Sequence, residues 1–159
     1  MAFAKAKKQE MINSREEIIK RLRNYFDRNA GRYKLEMVFL YGSWTKGFPR
    51  YDSDVDIAVI FLDEPSSDDE SFGKITDISL SLSEELGREV NIIQVYKDFR
   101  KPMLYYNAII LGLPVYIQEP DKYIRIKNHA LYHMEDYSIF GMDWQYEVAA
   151  KNLEAIRHA

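Results

Sequence analysis

"FLYGSWTKGFPRYDSDVDIAVIF", residues 39–61, is the stretch that decides how this chain is read. It starts and ends apolar, as a buried strand does, and carries Gly42-Ser43, Gly47 and then Asp54 and Asp56 in between. Side chains two apart on a strand share a face, so Asp54 and Asp56 project together while Val55, Ile57 and Val59 turn to a core. Two adjacent carboxylates repel and raise each other's pKa unless a charge offsets them. A divalent cation is the simplest such charge. Mg²⁺ prefers carboxylate oxygens and leaves coordination sites open for phosphate. Taken alone, the acid pair is better read as a solvated strand entry; the residues upstream change that. Gly42 permits a tight turn and Ser43 is placed to cap a short helix, whose N–H groups favour phosphate. Gly47 allows a second turn, and Lys46 and Arg50 add positive charge. One segment thus offers phosphate donors first and cation ligands next, as a triphosphate bridged by Mg²⁺ requires.

Outward from that tract, the pattern predicts an α/β (α+β) domain. Ser14-x-x-Glu17 is a capping box, and Ile18, Ile19, Leu22 and Tyr25-Phe26 follow at helical spacing, so a helix is expected over 13–29, stopped by Gly31. Leu35–Tyr41 reads as a strand, then a short helical turn, then a second strand over 54–62. After a polar loop, 69–86 reads as a helix with Ile75, Ile78, Leu82 and Leu86 on one face and Gly87 as its stop. A strand over 89–96, a helix over 103–111 ended by Gly112, and a strand over 114–118 complete the core. Two further helices are expected from Asp121 onward, broken near Gly141. The expected parts are an N-terminal helix in 1–32, a core in 33–118 and a helical extension in 119–159, forming one domain.

Bulk properties narrow the function. With 159 residues, 47% of them apolar and 30% charged, the chain suits one globular domain with a buried core. The net charge of −3 argues against a nucleic-acid binder. The charge is uneven: residues 1–34 hold ten Lys/Arg against four acids, which reads first as a solvated helix face and otherwise as a surface for an acidic partner or RNA. There is no cysteine, which excludes disulfides, thiolate chemistry and Cys-ligated zinc and fits the cytoplasm. The N-terminal stretch shows no apolar run of signal-peptide length. The most apolar tract, 103–117, is broken by Asn107, Gly112 and Pro114 and falls short of the ~20 residues that span a bilayer.

Gly42-Ser43, ten residues, then Asp54-Val55-Asp56 reads G-S-x₁₀-D-x-D. This resembles the signature of DNA polymerase β superfamily nucleotidyltransferases, and the compact size most resembles the minimal nucleotidyltransferase (MNT) branch. The resemblance spans residues 33–117. It implies that Gly42, Ser43, Lys46, Gly47 and Ser53 meet an ATP triphosphate and that Asp54 and Asp56 hold one or two Mg²⁺ ions. Members usually carry a third acid on the next strand. Here the expected place is Asn91, which can coordinate through its carbonyl but cannot take a proton. Glu89, two residues earlier on the same face, is the candidate replacement; otherwise it is an exposed strand-entry residue. The resemblance further implies an antitoxin that transfers AMP from ATP to a tyrosine of a HEPN-type toxin. The alternatives are an antitoxin acting by contact alone and a small-molecule nucleotidyltransferase of the antibiotic-modifying kind. The R-x₄-H spacing of a HEPN site is absent around Arg125, His129 and His133, so the chain is not itself a toxin fusion. His129 and His133 lack a third ligand and read as packing. Trp44 reads equally as a base-stacking or a core residue. The apolar tail suggests a homodimer or a toxin interface.

Overall fold

In the computed structural model the described residues are 15–45 and 53–157, excluding the side chains of 137–146 and 148. Helix α1 (Arg15–Tyr33) leads into strand β1 (Leu35–Tyr41), a single 3₁₀ turn (Gly42–Trp44) and strand β2 (Val55–Phe61). Helix α2 (Asp68–Leu86), strand β3 (Val90–Gln94), helix α3 (Pro102–Ile109), strand β4 (Leu113–Ile117) and helix α4 (Pro120–Arg157) follow. The four strands form one mixed sheet in the order β3-β2-β1-β4. β1 pairs antiparallel with both β2 and β4, whereas β2 and β3 run parallel, joined by α2 as the crossover a parallel pair requires.

The sheet is covered on both faces, so β1 and β2 are almost continuously apolar rather than alternating. On one face Val55, Ile57, Val59 and Phe61 pack with Ile18, Leu22 and Phe26 of α1 and with Ile78, Leu82 and Leu86 of α2. On the other, Ala58 and Ile60 meet Tyr105, Ala108 and Ile109 of α3, Phe99 and Ala130 of α4. Val55, Ile57 and Val59 thus turn to a core, as expected, and the acid-bearing face is itself a second core beyond Asp56.

The local stops differ from the sequence reading in three places. α1 runs through Gly31 and ends where Lys34 takes a left-handed φ of 53°, its N–H donating to the Gly31 carbonyl at 3.3 Å. A glycine inside a helix costs only about 1 kcal/mol against alanine, and packing of the apolar face outweighs that. Gly141 likewise breaks nothing, and the tail is one helix of 38 residues rather than two. α2 starts on a cap that the polar loop had hidden. Ser67 Oγ accepts the Glu70 N–H at 3.1 Å, and Glu70 Oε2 reaches back to accept from Ser66 Oγ at 2.9 Å. The α2 stop is as expected: Gly87 adopts φ 63° and its N–H closes on the Ser83 carbonyl. The expected Ser14 cap lies outside the described residues.

Candidate active site

The site is built where β1 leaves the sheet and β2 enters it. Tyr41 and Asp56 are paired across the two strands, so the turn after β1 necessarily lies beside the first acid of β2. Gly42 has φ +79°, a conformation that costs a side-chain-bearing residue steric strain. It also touches the acid: a Cβ at this position would stand 2.5 Å from Asp56 Oδ2. Gly42 is therefore required both for the turn and for the close approach of the turn's backbone to the carboxylate. Thr45 closes the turn, its N–H and its hydroxyl donating to the Gly42 carbonyl at 3.1 and 2.8 Å.

Ser43 is exposed within this turn. It does not cap it, contrary to the sequence reading: the N-cap position belongs to Tyr41, without a side-chain hydrogen bond, because the turn begins one residue earlier, at Gly42. Trp44 is a core residue, 1% exposed. Its Nε1 donates to the Ser53 carbonyl at 3.3 Å, and the Arg88 guanidinium lies over its ring at 4.8 Å. The indole thus ties the 3₁₀ turn to the residue just before the acid pair, an anchor of burial plus cation–π attraction. Ser53 is half-buried beside it. Lys46, Gly47 and Arg50 lie outside the described residues.

The acids sit in unlike surroundings. Asp54 is exposed and Asp56 half-buried. Burial chiefly raises the Asp56 pKa; hydrogen bonding from Asn91 opposes that rise, and the neighbouring Asp54 charge adds to it. Asn91 is the register partner of Asp56 on the parallel strand β3, the place expected for a third acid. Its Nδ2 also donates to Asp54 Oδ2 at 3.3 Å, so one amide serves both carboxylates. Glu89 is exposed just before β3, and its carbonyl accepts the Val55 N–H at 2.9 Å. Among the described residues no three His, Cys, Asp or Glu side chains are grouped to hold a metal ion. In this conformation Glu89 therefore does not form a trio with Asp54 and Asp56.

Tyr41 is a site neighbour that the sequence reading did not single out. Burial first, and the Asp56 charge second, push its hydroxyl up to about 12. It stays protonated near neutrality and keeps a donor beside the acids. The only signal for it was its place at the strand end, directly before Gly42.

His129 and His133 behave as packing residues. Both rings stack against Phe99, with centroids at 5.9 and 5.0 Å.

A mixed sheet carrying a glycine turn against a strand-mouth acid pair is the layout of a nucleotidyltransferase. Residues 16–121 match the family model described as "Polymerase beta, Nucleotidyltransferase", and the chain belongs to that family. Its fold is similar to a chain of a toxin–antitoxin complex determined with AMP-PNP, with TM-score 0.64 and 16% identity over 79% of this chain and 97% of that one. It is also similar to a chain of the tri-AMPylated Shewanella oneidensis HEPN toxin in complex with MNT antitoxin (TM-score 0.59, 14% identity, 82% and 98% covered). The MntA–HepT toxin–antitoxin complex supplies a third likeness, with TM-score 0.60 and 14% identity over 81% and 97% of the chains. No curated protein matches the sequence. No described helix is long and apolar enough to cross a membrane.

Proposed function

We propose that this chain is an MNT-type antitoxin that transfers AMP from ATP to a tyrosine hydroxyl of a HEPN-type toxin. The observation that carries the reading is the contact of Gly42 with Asp56, which puts the phosphate-binding turn and the acid pair in one site. The complexes similar in fold, one with AMP-PNP and one with an AMPylated toxin, support it.

The donor set suits Mg²⁺. Asp54 and Asp56 offer hard carboxylate oxygens at one strand mouth, and burial, with the Asp54 charge adding to it, makes ionisation of Asp56 costly, a cost that a divalent cation offsets. Asp54, Asp56 and the Asn91 carbonyl would hold the ion, which supplies Lewis acidity at the α-phosphate and neutralises the pyrophosphate leaving group. Asn91 would have to turn its carbonyl inward in place of its Nδ2. Gly42, Ser43 and Ser53, with Lys46 and Gly47 of the connecting loop, would fix the triphosphate. The tyrosine oxygen forms its bond to the α-phosphorus as the bond to the bridging β-phosphate oxygen breaks. Glu89 is the carboxylate proposed to take the hydroxyl proton.

Label from [α-³²P]ATP should appear on a HEPN partner incubated with the wild type and Mg²⁺, and should vanish with Asp54→Asn/Asp56→Asn. No label with either protein would sink the reading. Glu89→Gln should slow labelling by at least about tenfold; an unchanged rate leaves Glu89 a strand-entry residue.

A second reading is favoured by Asn91 standing where the acid is expected. In it the chain binds nucleotide weakly and neutralises its toxin by contact. Full neutralisation by the double variant would support that reading over transfer.

A further inference from the structure

We propose that a cavity at the far end of the sheet is a second ligand site, fitted to a guanine nucleotide. The cavity measures about 220 Å³ and opens beside Ile60 of β2, on the sheet face that bears Asp56. Ile60 lies four positions beyond Asp56, about 13 Å along a strand, so the cavity is distinct from the acid pair.

Its chemistry is bipolar. The most buried charged residue of its lining is Glu36, only 8% exposed. Among the described residues its side chain makes no hydrogen bond or ion pair within 4.0 Å. At the mouth stand Lys97, Lys122 and Arg125. Lys97 is steadied by donating Nζ to the Leu62 carbonyl at 2.9 Å, while Lys122 and Arg125 have no ion pair among the described residues. Between base and mouth the walls are Ile60, Ile126 and the exposed His129 ring.

A simple anion would meet Glu36 at the bottom, and a simple cation would meet three positive charges on entry. The ligand that suits both ends carries N–H donors on a flat apolar body and an anionic tail. Guanine presents two adjacent N–H donors on one edge, which a carboxylate accepts side by side, whereas adenine and uracil do not. Its phosphate then lies among the three cations, where Arg125 can bind bidentately. The volume falls below the roughly 300–1,000 Å³ of sites for drug-sized ligands, which suits one base with its phosphate left at the mouth.

Isoleucine-methyl NMR of the full chain in EDTA separates the two sites, because Ile60 and Ile126 line the cavity while Ile57 and Ile92 adjoin Asp56 and Asn91. GMP should move the Ile60 and Ile126 methyls saturably, and bind at least about tenfold tighter than AMP, UMP, guanosine or inorganic phosphate. Glu36→Gln should remove the preference for GMP over AMP. Arg125→Ala, at an exposed position that the fold does not need, should bring GMP down to guanosine. Shifts confined to Ile57 and Ile92, a response to phosphate as strong as to GMP, or no response at all would each overturn the proposal.

Discussion

The two strands that bring side chains to the acid site are finished to different standards. At the mouth of β2, Gly42 presses on Asp56, Trp44 is locked under Arg88, and burial holds the Asp56 carboxyl above its usual range. At the mouth of β3, Asn91 and Glu89 are both exposed, and an amide stands beside Asp56 where a carboxylate would complete a trio. The half proposed to grip a nucleotide is fixed by packing. The half proposed to serve proton transfer and a second ion is open and short of charge.

That contrast is most directly broken at Gly42. Gly42→Ala drives a methyl group into Asp56 Oδ2 and forces a left-handed backbone on alanine. Nucleotidyl transfer should fall by about 10²-fold, with a stability loss of ~1–3 kcal/mol from the strained φ. A fully active, fully stable variant would show that the two halves of the β2 mouth are not rigidly joined.

Asn91→Asp sharpens the comparison from the other side. A third carboxylate should tighten Mg²⁺ binding by about tenfold, read by titration calorimetry, and raise the transfer rate. Without metal it should push the Asp56 pKa further up, since the amide donor is lost and a charge is gained. Unchanged metal affinity would mean that Asn91 already serves as well as an acid.

The smallest effect concerns pH. The Asp56 pKa is raised in the fold, so the native state binds its proton more tightly than the unfolded chain. Stability from this group is then present at low pH and lost as pH rises from the ordinary carboxylate range through the raised value. Asp56→Asn should therefore melt higher than wild type at pH 7 by about 2 °C, and the difference should shrink toward pH 3. The same change should bring the Tyr41 hydroxyl below about 12, although not to its free value, because burial is the larger cause. A ¹³C-tyrosine NMR titration reads this directly.

Much of this site was legible because its sequence signals are local. Leu35–Tyr41 is a strand to the residue, and Gly42 meets Asp56, the second acid of the G-S-x₁₀-D-x-D pattern. Asn91 faces Asp56, as its place in the following strand suggested. What escaped the reading depends on partners distant in sequence. Trp44 could be assigned to the core only once Arg88 and the Ser53 carbonyl were beside it. Tyr41 mattered only through the cross-strand register. Gly31 and Gly141 carry breaker chemistry, but one glycine costs a helix only about 1 kcal/mol against alanine. Ser67-x-x-Glu70 is a capping pattern hidden in a loop rich in serine and acids.

The parallel junction between β2 and β3 also sets an order of assembly. β1 and β2 lie close in sequence, and their antiparallel pairing closes a short loop, which makes the contact of Gly42 with Asp56 cheap in chain entropy. The pairing of Asp56 with Asn91 must wait until α2 has crossed over and docked. A newly made chain therefore brings Gly42 against Asp56 before the environment of its acids is complete.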